Sequence, residues 1–309
     1  MTDPTLPPPA EPATANRRQP GIIRRVVDFP LVLIVLGLVA IILAVMLVGM
    51  IVNGLLATSH PLGVLIANCA VAAAIPFVWR DFKRWVERVP HRDFSRSGAA
   101  MELGGGLMLG AGLFALAAGL VILVGDYQIS GIRAPADTQW AELLGMAIMS
   151  GVLEETLFRA LIFHQLERLA GSWFALAVTS LLFGLAHLTN DGATLSAAAA
   201  LVVEAGVLLG AAYMLTGRLW LAIGIHTAWN FTQGWVFSIP VSGGEPPIGL
   251  FISRSTGPDW LSGGAFGLEA SLVALGVSTV AGLTLLRLAV RRGRIVPFGW
   301  LPGSAQTKL

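Results

Sequence analysis

The sequence predicts an all-α polytopic membrane protein with about eight transmembrane helices. Three observations carry that expectation. Of 309 residues, 55% are apolar and 12% are charged, against about 25% charged in an ordinary soluble domain. The mean hydropathy is +0.75. The apolar residues fall into runs of the ~20 residues needed to cross a bilayer core, and the basic residues gather in alternate links between those runs. Such a chain lacks the polar surface to coat a soluble globule, which argues against a soluble enzyme, a disordered regulator and a nucleic-acid binder.

The runs read as spans at 29–58, 61–79, 99–124, 139–165, 173–188, 196–215, 219–239 and 266–290. Basic clusters precede the first (Arg17, Arg18, Arg24, Arg25), separate the second from the third (Arg80, Lys83, Arg84, Arg88, Arg92, Arg96) and follow the eighth (Arg291, Arg292, Arg294, Lys308). Arg168 and Arg218 lie in short links on the same side, and the opposite loops hold only Arg133 and Arg254. An even number of spans with both termini cytoplasmic satisfies every loop, because cytoplasmic loops carry the excess of Lys and Arg. Trp79, Trp140, Trp173, Trp220 and Trp260 fall near span ends, where an amphipathic ring suits the interface. The expected location is a multi-pass, integral position in a bacterial cell membrane.

Three regions follow from this pattern: a Pro-rich, disordered cytoplasmic tail over 1–28, a transmembrane helical domain over 29–290, and a basic cytoplasmic tail over 291–309. The tail before the first span is not a signal peptide, since the following apolar run is too long and no small-residue cleavage site is apparent. Residues 80–97, basic with Trp85 and Phe94 interleaved, read as a helix on the anionic inner leaflet. The stretch 241–265 reads as an exterior loop. The single cysteine, Cys69, excludes an intrachain disulfide and reads as a small buried or lipid-facing side chain.

An ionisable group inside a span costs at least ~2.5–3.5 kcal/mol at the centre of an isolated helix, so each is a functional candidate. Glu154, Glu155 and Arg159 lie deep in the fourth span, His187 in the fifth, Glu204 in the sixth, and His226 with Asn230 in the seventh. Glu102, Glu142 and Glu269 lie nearer span ends, where reaching out to water is enough to explain them. Glu155 and Arg159 are four apart, on one helical face, with the acid N-terminal to the base, the favourable order for pairing. Glu154 points about 140° away from Arg159 around the axis, which leaves it as the unpaired carboxylate, suited to act as a general base or acid. Phe183 and His187, and likewise His226 and Asn230, share helical faces at the same spacing. A carboxylate and a histidine can polarise water; a second histidine and an amide can donate to a developing oxyanion. Together they suit peptide hydrolysis in a polar cavity, with the site on spans four, five and seven.

Glu154-Glu155-Thr-Leu-Phe-Arg159 fits an EExxxR pattern, Phe183-Gly-Leu-Ala-His187 fits FxxxH, and His226-Thr-Ala-Trp-Asn230 fits HxxxN. In this order on successive membrane helices, the chain resembles the CPBP family of intramembrane proteases, which includes type II CAAX prenyl endopeptidases and bacteriocin-processing or immunity homologues. The resemblance covers a protease-like core at about 139–239. It implies that Glu154 is the catalytic carboxylate, that His187 holds the water, that His226 and Asn230 stabilise the oxyanion, and that Glu155 and Arg159 form a supporting ion pair beside Phe183. The implied substrate is a membrane-anchored peptide or protein, CAAX-type or other, met at the lipid bilayer and not on nucleic acid. Glu154, His187 and His226 could hold a divalent metal such as zinc in a three-ligand geometry; the Asn230 amide, standing where a fourth ligand would fall, tilts the reading toward no tightly bound metal. Two other functions compete: a proton-coupled transporter, since buried Glu and His also build relays, and a catalytically idle membrane scaffold or immunity factor.

Overall fold

The computed structural model describes residues 21–56 and 60–299. Its architecture is helical. Helix α1 spans Ile22–Val27, α2 Pro30–Leu55, α3 Pro61–Asp81, α4 Ala99–Leu123, α5 Trp140–Glu155, α6 His164–Ala170, α7 Ser172–Ala186, α8 Leu195–Leu201, α9 Leu208–Thr216, α10 Trp220–Phe231, α11 Asp259–Ser262 and α12 Leu272–Arg291. Wider π turns extend α3 (Phe82–Glu87), join α5 to α6 (Thr156–Phe163) and α8 to α9 (Val202–Val207), and extend α10 (Thr232–Val236). Such π turns often mark functional sites. Among the described residues, six helical stretches are long and apolar enough to cross a membrane: Pro30–Leu55, Pro61–Glu87, Ala99–Leu123, Ser172–Thr189, Leu195–Thr216 and Leu272–Arg291. The protein is therefore an all-α polytopic membrane protein. Its other two long helical paths, from α5 through α6 and from α10 through its π turn, coincide with the fourth and seventh expected spans.

Local chemistry sets the helix starts. Pro30 and Pro61 occupy first-turn positions, where a missing N–H costs nothing. Thr194 caps α8 by accepting from the Ala197 N–H, and Ser271 caps α12 through Ala274. Gly171, at φ 83°, turns the chain sharply from α6 into α7.

Close helix contacts are made by glycines. α4 and α10 meet backbone to backbone, and a Cβ at Gly106 or Gly110 would overlap the carbonyl oxygen of Leu221 or Ile225. A Cβ at Gly151 of α5 would strike the Thr227 hydroxyl of α10. Small residues at crossings of this kind let membrane helices approach without side chains between them. α10, which bears two candidate site residues, is thus wedged between α4 and α5.

The basic end of the bundle departs from expectation. Residues 80–97 are not one surface helix. The helix from α3 ends at Glu87, Arg88 turns left-handed at φ 61°, and an irregular segment follows. Asp93 pins that segment, accepting from Trp79 Nε1 at 2.8 Å and from the Tyr213 hydroxyl at 2.9 Å. Phe94 is buried while Trp85 is exposed. The basic residues suggested a helix on the anionic inner leaflet, but a buried acid with two fixed donors folds the segment back onto the bundle. Of the expected N-terminal tail, 22–27 form α1, so that part is helical; the rest of it, through residue 20, lies outside the described residues, as do 300–309 of the C-terminal tail.

The opposite end is more ordered than the loop expected there. Strand β1 (Tyr127–Ile132) pairs antiparallel with β2 (Phe251–Ser255), with an irregularity between Ile129 and Gly131. The Tyr127 hydroxyl donates to the Ser262 carbonyl of α11 at 3.2 Å. Neither strand has the clean alternation that would have revealed it in the sequence.

Candidate active site

The fourth expected span brings Glu154 and Glu155 to the point where α5 loosens into its π turn. Glu155 and Arg159 are almost wholly buried and pair at 3.0 Å. The same Glu155 Oε1 accepts from His226 Nδ1 at 2.8 Å. Arg159 spends its other terminal nitrogen on the carbonyls of Ala205 at 3.0 Å and Gly206 at 3.4 Å. Its guanidinium lies 4.8 Å from the centre of the Phe183 ring, within the range of a cation–π contact. One buried ion pair therefore ties together the α5, α7, α8–α9 and α10 segments. The link from Glu155 to His226 was not legible from i,i+4 spacing, which reports only neighbours along one helix.

Glu154 points elsewhere, as the helical phase requires. Its side chain is 26% exposed, and its Oε2 lies 3.9 Å from His187 Nε2 and 4.0 Å from His226 Nε2. That oxygen is itself buried and has no hydrogen-bond partner. The opposite nitrogens fix both rings. His187 Nδ1 lies 2.7 Å from the Phe183 carbonyl oxygen, which can only accept, so Nδ1 carries the proton. His226 Nδ1 likewise faces an acceptor, the Glu155 carboxylate. In neutral rings, both Nε2 lone pairs therefore face Glu154. His187 stands at the C-terminus of α7, where a short 3-10 turn begins. Its ring packs 4.7 Å from that of Phe183, which also lies 6.2 Å from His226 and forms the apolar wall between them.

Asn230 donates from Nδ2 to Ser150 Oγ at 3.3 Å and lines a cavity together with Phe183, His187 and His226. That cavity is large enough to hold ordered water. All seven residues singled out for the site thus converge: Phe183, His187, His226 and Asn230 line the cavity, Glu154 stands about 4 Å from both imidazoles, and Glu155 and Arg159 lie behind His226.

The donor set does not fit zinc. Tetrahedral ligands at about 2.0–2.1 Å stand about 3.3–3.4 Å apart, whereas the Glu154 oxygen lies 3.9 and 4.0 Å from the two imidazole nitrogens. Two groups accepting from one water at about 2.8 Å, at the water's own angle near 105°, stand about 4.4 Å apart, a little wider than these separations. Among the described residues, no group of three or more His, Cys, Asp or Glu has the geometry to hold a metal ion.

Two further acids reach the same cavity. Glu204, in the π turn between α8 and α9, is a sixth-span charge that received no role from the sequence. Glu269 was expected to reach water at a span end; instead it is 3% exposed, in the turn before α12. Gln233 Nε2 and the Ser242 N–H donate to it. Its partners come from Gln233 and from Ser242 at the start of the expected exterior loop, contacts that no local signal in the sequence encodes. Glu102, by contrast, is a span-end acid paired with Arg218.

Residues 136–232 match the family model of the type II CAAX prenyl endopeptidase Rce1-like proteins. The match takes in all seven converging residues and supports the resemblance to the CPBP/CAAX protease family. No curated protein matches the chain. The family points to a CAAX-type intramembrane protease, a hydrolase acting on a membrane-associated peptide.

Proposed function

We propose that this chain, through its Rce1-like domain, hydrolyses a peptide bond near the end of a membrane-associated protein or peptide, using water activated by Glu154 and the two histidines. The carrying observation is the position of Glu154 Oε2, about 4 Å from both Nε2 atoms and free of other partners.

In this reading Glu154 takes one proton from a water lodged between it and His187, whose Nε2 accepts the water's other hydrogen and orients its lone pair. The water oxygen attacks the scissile carbonyl carbon. Asn230 turns its amide from Ser150 to the oxyanion, and His226, entering the reaction as an imidazolium with one proton held toward Glu155 and the second on Nε2, donates to it as well and leaves with both. Glu154 then hands its proton to the leaving amide nitrogen as the oxyanion collapses and the C–N bond breaks, giving an amine and a carboxylic acid that keeps the water's second hydrogen until it ionises to solvent. Glu155 holds the His226 ring in register, and Arg159 holds Glu155. No step needs a metal, consistent with the spacing of the donor set. Both termini and the basic 80–97 segment face the cytoplasm in this reading, because that orientation places every basic cluster inside.

The test is cleavage of a lipid-tethered peptide by purified protein in proteoliposomes, wild type against Glu154→Gln. Hydrolysis that depends on Glu154 supports the reading. Equal hydrolysis by both proteins removes Glu154 from the mechanism, and none by either removes the proteolytic function.

A further inference from the structure

The hydrolytic groups account for only part of the cavity. Its wall also carries Glu204 and Glu269, contributed by two separate elements. Each is 3% exposed. None of the residues lining the cavity is a lysine or arginine, and the two histidines are already committed to Phe183 and Glu155 through Nδ1.

The two acids are held differently. Glu269 is oriented by Gln233 Nε2 and the Ser242 N–H, and Gln233 is braced in turn by Trp229 Nε1 at 3.1 Å. Gly267, at φ 118°, leaves room for that arrangement: a Cβ there would stand 2.7 Å from both Gln233 Nε2 and Glu269 Oε2. Glu204, by contrast, has a buried Oε2 with no hydrogen-bond partner, among Leu201, Ala205 and Leu208. An unmatched buried carboxylate oxygen carries its full desolvation cost. A pair serving only to join helices would satisfy its acceptors internally. A pair that receives a ligand keeps one acceptor open.

We infer that Glu204 and Glu269 form a subsite that receives a primary ammonium group of the substrate, either a lysine side chain or a free peptide amino terminus, beside the scissile bond. The position beside that bond rests on the hydrolytic reading above. The chemistry follows from the lining. An ammonium is a compact cation with three donors and no acceptor, complementary to two carboxylates that, ionised, only accept. That compact head needs less room and fewer acceptors than the planar, five-donor guanidinium of arginine. Sites built around buried polar partners reject analogues lacking the matching group far more strongly than apolar pockets reject a missing methylene.

The experiment uses matched lipid-tethered peptides with lysine, arginine or norleucine scanned through the positions flanking the cleaved bond, each with a free or an acetylated amino terminus. Two quantities are read: kcat/KM with active protein, and peptide affinity by fluorescence anisotropy on the Glu154→Gln background. The expected result is a preference for lysine over norleucine, at one position, of about tenfold or more in both quantities. It falls within about twofold in Glu204→Gln and in Glu269→Gln, each compared as a ratio so that a general loss of activity cancels. If the preference follows acetylation instead of the internal lysine, the amino terminus is the occupant and the subsite stands. Lysine and norleucine within about twofold of each other in the wild-type cavity, with the free and acetylated amino termini equally close, overturn the proposal without needing any folded variant, and so does a preference that survives Glu204→Gln. Cleavage without preference defeats the subsite alone; selective, Glu204-dependent binding without cleavage defeats the hydrolytic reading alone.

Discussion

His226 Nδ1 lies 2.8 Å from Glu155 Oε1, the same oxygen that pairs with Arg159 at 3.0 Å. The supporting ion pair and the oxyanion-side histidine are therefore one network. Changes to the pair reach the chemistry through His226, even though neither Glu155 nor Arg159 lines the cavity.

That sharing separates stability from activity. Glu155→Gln leaves Arg159 buried without its carboxylate. Breaking a buried pair from one side costs about 3–5 kcal/mol, offset here in part by the two carbonyls that still accept from Arg159. Glu155→Gln with Arg159→Met removes both charges and should recover much of the melting temperature in detergent. Cleavage should stay low in the double variant, because His226 has still lost its carboxylate. Recovery of both together would show that the network serves stability alone.

Glu154→Gln keeps the shape of the side chain and removes the ionisable oxygen. Loss of a general base costs about 10²–10⁴ in rate, so tethered-peptide cleavage should fall near background. The melting temperature should hold, since Glu154 Oε2 makes no hydrogen bond that the amide would break. No substitution at Arg159 should rescue it. A stable but dead Glu155→Gln beside an active Glu154→Gln would reverse the two assignments.

The crossing of α4 and α10 offers a test remote from the chemistry. Gly110→Ala forces a methyl against the Ile225 carbonyl, whereas Gly112→Ala, on the same helix, meets nothing within 4 Å. Overpacking costs about 1–3 kcal/mol, occasionally more. Gly110→Ala should lower the melting temperature and, by displacing His226 and Asn230 on α10, also the cleavage rate. Gly112→Ala should change neither, and equal behaviour of the two would count against the close crossing.

The spacing of Glu154, His187 and His226 also predicts the response to metal removal. Cleavage should survive dialysis against a strong chelator, with elemental analysis confirming less than stoichiometric zinc in the active preparation. Loss of activity on chelation, restored by zinc, would overturn the water-bridged reading.

Orientation can be measured in a Cys69→Ser background with single cysteines at positions 88 and 254. An impermeant thiol reagent applied from outside intact cells should label 254 and spare 88. The reverse pattern would invert the protein in the membrane.

The sequence alone determined the helical, membrane-spanning character of this chain, because apolar runs and the placement of arginines are local properties that the bilayer reads directly. It also determined which of two adjacent glutamates pairs with Arg159, because 100° per residue fixes the faces of a single helix before any partner is known. The tertiary structure alone decided the rest. Glu155 reaching His226, Asp93 folding the basic segment inward, β1 pairing with β2, and Glu204 meeting Glu269 in one cavity all join residues far apart in the chain. Hydrophobic periodicity carries no record of which helix stands beside which. The partner of a buried charge is set by the packing of glycine-lined crossings such as α4 against α10, and that packing exists only once the whole bundle has formed.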